Sequence, residues 1–259
     1  MIVMIKGIVR DRVVHGILMC TVLFFCIPSI STLSMRQVTE LSITLSLSLT
    51  SFILLVTSTF IGGTSLWKDM ERRYTVSVLG LPMSRRRYLL GKFIGISCFI
   101  IALSLFFGLI TCLVVKYASI VYPPSRAVVW NYLFLSFIFD SLKYILLVGI
   151  AFLLSTVSTS FFLPIFGTLA AFLTGSAMQQ VYDFIKSPAG QTIPPLVRKT
   201  AVILYYLIPN FSAFDYKVNA IYAIPPNPSG IFLTLAYFIV YLGLVLTCAT
   251  LLFERREIQ

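Results

Sequence analysis

The stretch Trp67–Lys92, WKDMERRYTVSVLGLPMSRRRYLLGK, decides how the rest of the chain is arranged. It is a long polar interruption rich in arginine, and a long apolar run lies on each side of it. Cytoplasmic loops carry an excess of Lys and Arg, so a basic loop between two candidate membrane spans indicates its own side of the bilayer. Its mixture of apolar and charged residues also suits contact with a cytoplasmic partner.

The composition excludes an ordinary soluble domain. The chain of 259 residues is 58% hydrophobic, and its mean hydropathy is +0.96. Several runs reach about 20 apolar residues, the length needed to cross the hydrocarbon core. We predict an all-α integral membrane protein, one polytopic domain over residues 1–259. The six predicted transmembrane helices are Val13–Leu33, Leu41–Leu66, Phe93–Val115, Tyr132–Thr156, Ser158–Val181 and Gly230–Phe253.

The distribution of basic residues argues against nucleic acid as the partner, although the net charge is +11. Twelve of the 20 basic residues fall on one predicted side of the membrane: Lys6, Arg10, Arg12, Lys68, Arg72, Arg73, Arg85, Arg86, Arg87, Lys92, Arg255 and Arg256. The other predicted side holds seven, spread over longer loops, and Lys143 falls within a span. We therefore predict that both termini and the Trp67–Lys92 loop lie in the cytoplasm.

The second predicted span is rich in hydroxyl side chains, which alternate with apolar residues between Ser42 and Thr50. Such alternation is typical of a strand, but an open sheet edge cannot exist in lipid. We predict a helix whose hydroxyls bond to the carbonyl one turn earlier or to a neighbouring helix. The functional alternative is that Ser46 and Thr50 line a polar translocation path.

Asp140 and Lys143 are the acid and base that fall near the middle of a predicted span. Because they are three residues apart, they lie on one helix face and can neutralise each other. An isolated charge there would cost several kcal/mol, so pairing or a wet cavity is required. Three interpretations stay open: a structural ion pair, a span that begins later than Tyr132, or a pair on the translocation path.

The predicted external stretch Tyr182–Ser229 contains seven prolines, which exclude a long helix there. Its apolar piece, Ala201–Ile208, is too short to span. We predict an interfacial or re-entrant helix that caps the outer mouth. In the fifth span, Gly167, Ala171 and Gly175 leave a flat strip on which another helix can pack closely, within the subunit or across a dimer.

Within the basic loop, Trp67 and Met70 lie among charged residues and predict a short amphipathic helix on the membrane face. Leu81-Pro82 breaks this helix, and Ser84 can cap a new one that continues into the third span. The expected product is a rigid charged elbow joined directly to a transmembrane helix. The alternative is a basic collar that only faces lipid headgroups.

The sequence contains none of the common catalytic patterns. Gly91-Lys92 is followed by Phe93 and lacks the Ser or Thr of a phosphate-binding loop. The single histidine, His15, excludes a histidine-based triad and the usual metal clusters. We therefore expect that the chain is not an enzyme by itself, holds no metal and binds no cofactor.

The loop resembles that of the membrane permease subunits of type-2, export-type ABC transporters. The resemblance rests on Glu71-Arg72-Arg73-Tyr74-Thr75, Leu81-Pro82-Met83-Ser84-Arg85 and Tyr88-Leu89-Leu90-Gly91-Lys92, which match the family's acidic-Thr, Pro-x-Ser-Arg and Leu-Gly-Lys pattern. Two later stretches, Leu207–Asp215 and the terminal Phe253–Glu257, also resemble sequences of this family. Tyr74 departs from the pattern, because many members carry glycine before the threonine.

The resemblance implies a half-transporter of the bacterial or archaeal cell membrane without its own motor. A second permease copy, identical or a sister, would complete the path, and separate cytoplasmic ATPase subunits would bind ATP and Mg²⁺. The residues implied in ATPase coupling are Trp67, Glu71, Arg72, Arg73, Thr75, Leu81, Pro82, Ser84, Arg85, Gly91 and Lys92. The residues of the external cap are Pro209, Asn210, Phe211 and Asp215.

Two other classes of function stay open from the sequence. A self-contained carrier or channel would use Asp140, Lys143 and the hydroxyl-rich helix as its ion path. A membrane scaffold would assemble other proteins and move nothing. A stable complex with an ATPase distinguishes the transporter subunit from both.

Overall fold

The computed structural model describes residues 12–32, 37–71, 84–124, 126–188, 190 and 194–255. Across these ranges the chain is helical and no strand is present. The helices are α1 (Arg12–Ser31), α2 (Val38–Thr57), a π-helical turn (Ser58–Gly62), α3 (Gly63–Glu71), α4 (Arg85–Val121), α5 (Trp130–Val157), α6 (Phe162–Lys186), α7 (Pro195–Leu207), a 3₁₀ turn (Phe211–Phe214), α8 (Lys217–Tyr222) and α9 (Pro228–Arg255).

Five helical segments in the described ranges are long and apolar enough to cross a membrane. They are Val38–Asp69, Arg85–Val121, Trp130–Val157, Phe162–Lys186 and Pro228–Arg255. They correspond to the second to sixth predicted spans. Val38–Asp69 and Arg85–Val121 extend three to eight residues beyond the predicted limits, and Trp130–Val157 and Pro228–Arg255 agree within two residues. Phe162–Lys186 begins four residues later and ends five residues later than the predicted fifth span. The first predicted span corresponds to α1, which has 20 residues and is not one of these five, so the total of six stays a prediction.

The hydroxyl-rich segment is helical, as predicted, and not a strand. Thr44 and Thr50 each donate to the carbonyl four residues earlier, Glu40 and Ser46, at 2.8 and 2.9 Å. Other hydroxyls of α2 reach neighbouring helices; Ser42 donates to Ser31 Oγ on α1 at 2.8 Å. The hydroxyls are therefore used for hydrogen bonds inside and between helices.

The structure corrects the predicted start of the elbow. Trp67 does not begin a separate surface helix, because α2, the π-helical turn and α3 follow one another without a break from Val38 to Glu71. No proline interrupts this stretch, and its two glycines are covered by other helices. Gly62 faces Ala151 and Val148 of α5, while Gly63 faces Pro164 at the start of α6.

Helix α4 begins where predicted, directly after the capping residue Ser84. Ser84 is its N-cap, in extended backbone conformation, and the Ser84 side chain accepts a hydrogen bond from the backbone N–H of Arg87 at 3.4 Å. A capping hydroxyl satisfies one of the free N–H groups at a helix start. From this cap α4 runs without interruption to Val121.

Helix α5 occupies the centre of the bundle and packs against α2, α3, α4, α6, α8 and α9. In its most apolar window, 78% of the residues are buried, compared with 11% in α9. The apolar core is built around α5 residues such as Phe139, Leu146 and Phe152. Helix α9 is therefore peripheral and presents most of its apolar surface outwards.

In the external segment, the part that packs into the bundle is not the apolar piece Ala201–Ile208 but the residues that follow it. The apolar piece Ala201–Ile208 lies mostly in α7, which begins at Pro195, a helix position where proline is tolerated. No residue of α7 is buried. The following residues, 209–222, which we call the external cap, enter the bundle instead: Phe211 and Phe214 are each only 1% exposed.

The predicted small-residue strip of α6 is a packing surface within this chain. A Cβ atom at Gly175 would collide with the backbone carbonyl oxygen of Pro209 and lie 2.7 Å from the Phe211 ring. A Cβ atom at Gly167 would lie 2.8 Å from Leu154 of α5. The strip therefore allows the external cap and α5 to approach α6 closely.

We expect Gly175→Ala to lower the free energy of unfolding by about 1–3 kcal/mol, the usual range for overpacking. The methyl group would meet the backbone of Pro209, which can move only together with Phe211. Gly243→Ala is the matched control, since nothing lies within 4 Å of a Cβ atom there. Thermal unfolding in detergent measures both. Equal melting temperatures for the two variants would contradict the assigned packing.

Candidate functional site

The two helices that flank residues 72–83 are held together by one buried cation. Lys92 on α4 forms an ion pair with Asp69 on α3, and its Nζ also donates to the Ser65 carbonyl oxygen at 2.5 Å. Tyr88 Oη, one turn earlier on α4, donates to the same Asp69 carboxylate. The Lys92 side chain is 10% exposed. Both ends of the basic segment 72–83 are thus fixed to each other.

The last turn of α9 joins this group. Arg86 binds Glu254 through two hydrogen bonds, Nε to Oε1 at 2.5 Å and Nη2 to Oε2 at 2.9 Å. Arg85 donates to the Glu254 carbonyl oxygen at 3.1 Å. The Tyr88 ring stacks on Phe253 with 6.4 Å between ring centroids. The start of α4 therefore contacts both α3 and α9.

Trp67 connects the turn between α5 and α6 to the same end of the molecule. Its Nε1 lies 3.5 Å from the Thr159 carbonyl oxygen, and its ring packs at 5.5 Å from Phe161. We call the ends of α3, α4 and α9, together with residues 158–161, the inner end. The 158–161 turn has no basic residue; the Trp67 contact and the approach of Gly63 to Pro164 place it at the same end as the basic loop.

The predicted coupling residues divide into three groups. Arg72, Arg73, Thr75, Leu81 and Pro82 lie outside the described residues, and Glu71 is the last residue of α3. Trp67, Arg85 and Lys92 contact other parts of this chain, as described above. Ser84 is exposed, and Gly91 is exposed with no atom within 4 Å of a Cβ position.

Sequence reasoning missed Asp69, Tyr88, Arg86 and Glu254 as members of the inner end. One local signal was present, because Tyr88 and Lys92 are four residues apart and share a helix face. The contact between Arg86 and Glu254 joins residues 168 positions apart. No local pattern could have indicated that pair.

The second polar group is buried within the bundle. Lys143 Nζ lies 2.5 Å from Asp140 Oδ1, and Ser51 Oγ of α2 donates to Asp140 Oδ2 at 2.5 Å. The side chains of Lys143 and Asp140 are 7% and 6% exposed. Lys143 Nζ also lies 4.8 Å from the centre of the Tyr144 ring. The two charges are therefore neutralised locally, as an ion pair on one helix face.

Two further residues of the predicted path, Ser46 and Thr50, are completely buried in α2. Thr50 is bonded to the Ser46 carbonyl oxygen, while the Ser46 hydroxyl has no hydrogen-bond partner within the described part of the chain. A translocation role for these residues and for Asp140 and Lys143 stays a prediction.

The external cap brings additional charge close to this buried pair. Lys217, in α8, is half-buried, and α8 packs on α2 and α5. Burial lowers the pKa of Lys217 below its ordinary value; the charges of Asp140 and Asp215 raise it, and that of Lys143 lowers it. Loss of hydration disfavours the charged form, and this effect dominates here.

The predicted cap residues Pro209, Asn210 and Phe211 fasten the cap to the bundle. Asn210 Nδ2 donates to Gln179 of α6 at 2.7 Å, and the Asn210 backbone N–H donates to Tyr237 Oη of α9 at 2.9 Å. Pro209 and Phe211 are buried, whereas Asp215 is exposed. The cap is thus held by both α6 and α9.

Comparison with known proteins identifies a family. The model of the family described as "ABC-2 family transporter protein" matches residues 5–258. No curated protein matches the chain. The family match and the five long apolar helices together describe a multi-pass membrane protein. The residues that the structure describes contain no group of three or more His, Cys, Asp or Glu side chains that could hold a metal ion.

We expect Lys143→Met to lower the free energy of unfolding by about 3–5 kcal/mol, because it leaves the Asp140 carboxylate buried and unpaired. Asp140→Asn combined with Lys143→Met should recover most of this loss, since Asn still accepts a hydrogen bond from Ser51. Lys217→Met is the matched control and should be neutral or stabilising, because it removes a poorly hydrated charge.

Chemical denaturation in detergent measures all three variants. Equal unfolding free energies for Lys143→Met and Lys217→Met would show that the buried ion pair has no structural role.

Proposed function

Because the chain belongs to the ABC-2 family of transporter proteins, we propose that it is the membrane-spanning permease subunit of an ATP-driven transporter, working as an exporter. The match over residues 5–258 carries this proposal, since it covers all the helices. The proposed subunit has six transmembrane helices, with α1 as the first. It binds no cofactor and is not an enzyme by itself; ATP and Mg²⁺ are bound by a separate ABC ATPase.

The proposed docking surface for the ATPase is the elbow. Its basic residues face the cytoplasm, in agreement with the bias of Lys and Arg towards that side. The proposed contacts with the ATPase come from the residues around Glu71–Arg87, of which Glu71, Arg72, Arg73 and Arg85 supply the polar ones. Trp67 packs on Phe161, so its role is to hold the elbow in place, while Leu81 supplies an apolar contact to the ATPase.

The proposed mechanism uses the connection between the elbow and the membrane helices. Lys92 is bonded to both Asp69 and Ser65, so a force applied to segment 72–83 acts on α3 and α4 together. Since α3 continues into α2 and α4 is itself 37 residues long, both long helices tilt when two ATPase subunits close. The tilt switches access of the path from one side to the other.

A second permease copy, identical or a sister subunit, completes the proposed transport path. Helices α6 and α9 are among the least buried of the long helices, and their apolar outer faces lie against lipid or the second copy. The proposed location is the bacterial or archaeal cell membrane, with both termini in the cytoplasm.

We predict that Glu71→Arg and Arg85→Glu each abolish the stimulation of ATP hydrolysis while leaving membrane insertion intact. Reversing a charge at a docking surface places like charges together, which costs several kcal/mol. The measurement is ATP hydrolysis by the complex purified through a tag on this chain, relative to the ATPase alone. Lys199→Glu, on the exposed helix α7, is the matched control and should hydrolyse ATP normally.

Normal stimulation in both elbow variants would contradict ATPase docking at the elbow. Failure of any ATPase to purify with the unaltered chain would contradict the proposed function itself.

A further inference from the structure

Helix α9 contacts the elbow at its last turn, and residues 207–210, where α7 leads into the external cap, in its first half and middle. At the inner end, Glu254 binds Arg86 through two parallel hydrogen bonds. Such a bidentate pair fixes orientation as well as distance. In its first half, Tyr237 Oη accepts a hydrogen bond from the Asn210 backbone N–H. Tyr241 Oη, near the middle of the helix, donates to the Leu207 carbonyl oxygen at 2.9 Å.

The helix between these contacts is suited to act as one body. It has 28 residues without internal proline, and the 17 residues that separate Tyr237 from Glu254 span about 26 Å at 1.5 Å per residue. Only 11% of its most apolar window is buried, while its inner face packs against α5 and α4. Its polar contacts with the elbow and with residues 207–210 lie on the same unbroken helix, so a movement at one contact reaches the other.

Tyr88 joins the Glu254 contact to the rest of the elbow. Its hydroxyl donates to Asp69, and its ring stacks on Phe253, the neighbour of Glu254. The same carboxylate of Asp69 pairs with Lys92. The ends of α3, α4 and α9 are thus connected through shared side chains, and a displacement of segment 72–83 reaches all three.

We propose that Glu254 is a positioning residue which makes α9 the mechanical link between the elbow and the external cap. This inference rests on the proposed function. When the ATPase moves the elbow, Arg86 pulls the last turn of α9 through Glu254. Tyr237 and Tyr241 then carry the movement to Leu207 and Asn210, and the outer mouth responds to a nucleotide bound on the opposite side of the membrane.

Because Arg86 and Glu254 are partly exposed, their role in transmitting movement can be tested apart from any role in folding. The side chains of Arg86 and Glu254 are 58% and 33% exposed. Exposed ion pairs contribute little to stability. Disruption of the pair should therefore leave the fold and the bound ATPase in place, and should change only the transfer of movement to the cap.

The experiment measures how fast a cysteine at position 218 reacts with a membrane-impermeant maleimide from outside. Val218 is 54% exposed on α8, so Val218→Cys reports on the cap. The complex is reconstituted in liposomes and labelled with and without ATP and vanadate. The variants are Glu254→Arg, Arg86→Glu and the combination of both. Lys199→Glu is the matched control, and bound ATPase is quantified in every sample.

In the unaltered chain we expect trapped nucleotide to change the labelling rate by about fivefold or more, at the lower end of allosteric coupling. Glu254→Arg should remove most of this change with an unaltered amount of bound ATPase. The combined variant should restore it, because the ion pair is rebuilt in reverse. Such rescue is the evidence that a coupling pathway requires.

Two results would overturn the inference. The first is a full nucleotide-dependent change in Glu254→Arg, which would show that α9 is moved by other contacts. The second is loss of the change in both the single and the combined variants with ATPase still bound, which would show that the pairing does not carry the movement. Absence of bound ATPase from the unaltered chain would instead remove the proposed function on which the inference rests.

Discussion

A charge at or within a bilayer must be paired or hydrated. The ion pair between Asp69 and Lys92 meets this requirement, and it also joins α3 to α4 at the inner end. Lys92 bonds to α3 in two places, so the end of α3 and the start of α4 are fixed to each other. Tyr88 extends this contact to Phe253. The proposed transmission of force through segment 72–83 requires such a fixed connection between the two helices that flank it.

The same rule explains the polar groups in the middle of the bundle. Asp140 and Lys143 neutralise each other, and Ser51 donates a hydrogen bond to the second carboxylate oxygen of Asp140. A buried pair of this kind stabilises little by itself, but the loss of one partner is costly. The external cap adds Lys217 nearby, at the cost of part of its hydration. The described residues thus hold charge in two places. The first is the Asp69–Lys92 pair at the inner end, and the second is the buried Asp140–Lys143 pair near the external cap.

Much of the helical pattern could be predicted from the sequence, because apolar runs of membrane-spanning length and a capping serine are local signals. Ser84 is an example, and so are the hydroxyls of α2 that bond one turn back. The continuation of α3 to Glu71 was not predictable in this way, since it depends on α5 and α6 covering Gly62 and Gly63. The entry of Phe211 into the bundle depends likewise on the space above Gly175. The partners of Arg86 and Trp67 are distant in the chain, so only the fold brings them together.

The side of the membrane on which segment 72–83 lies tests the account most directly. In a background in which all five cysteines are replaced, Ser77→Cys reports on this segment and Asn227→Cys on the outer end of α9. Intact cells are treated with a membrane-impermeant maleimide before and after permeabilisation. The account predicts labelling of position 227 in intact cells and of position 77 only after permeabilisation. Labelling of position 77 in intact cells would contradict an ATPase-driven elbow.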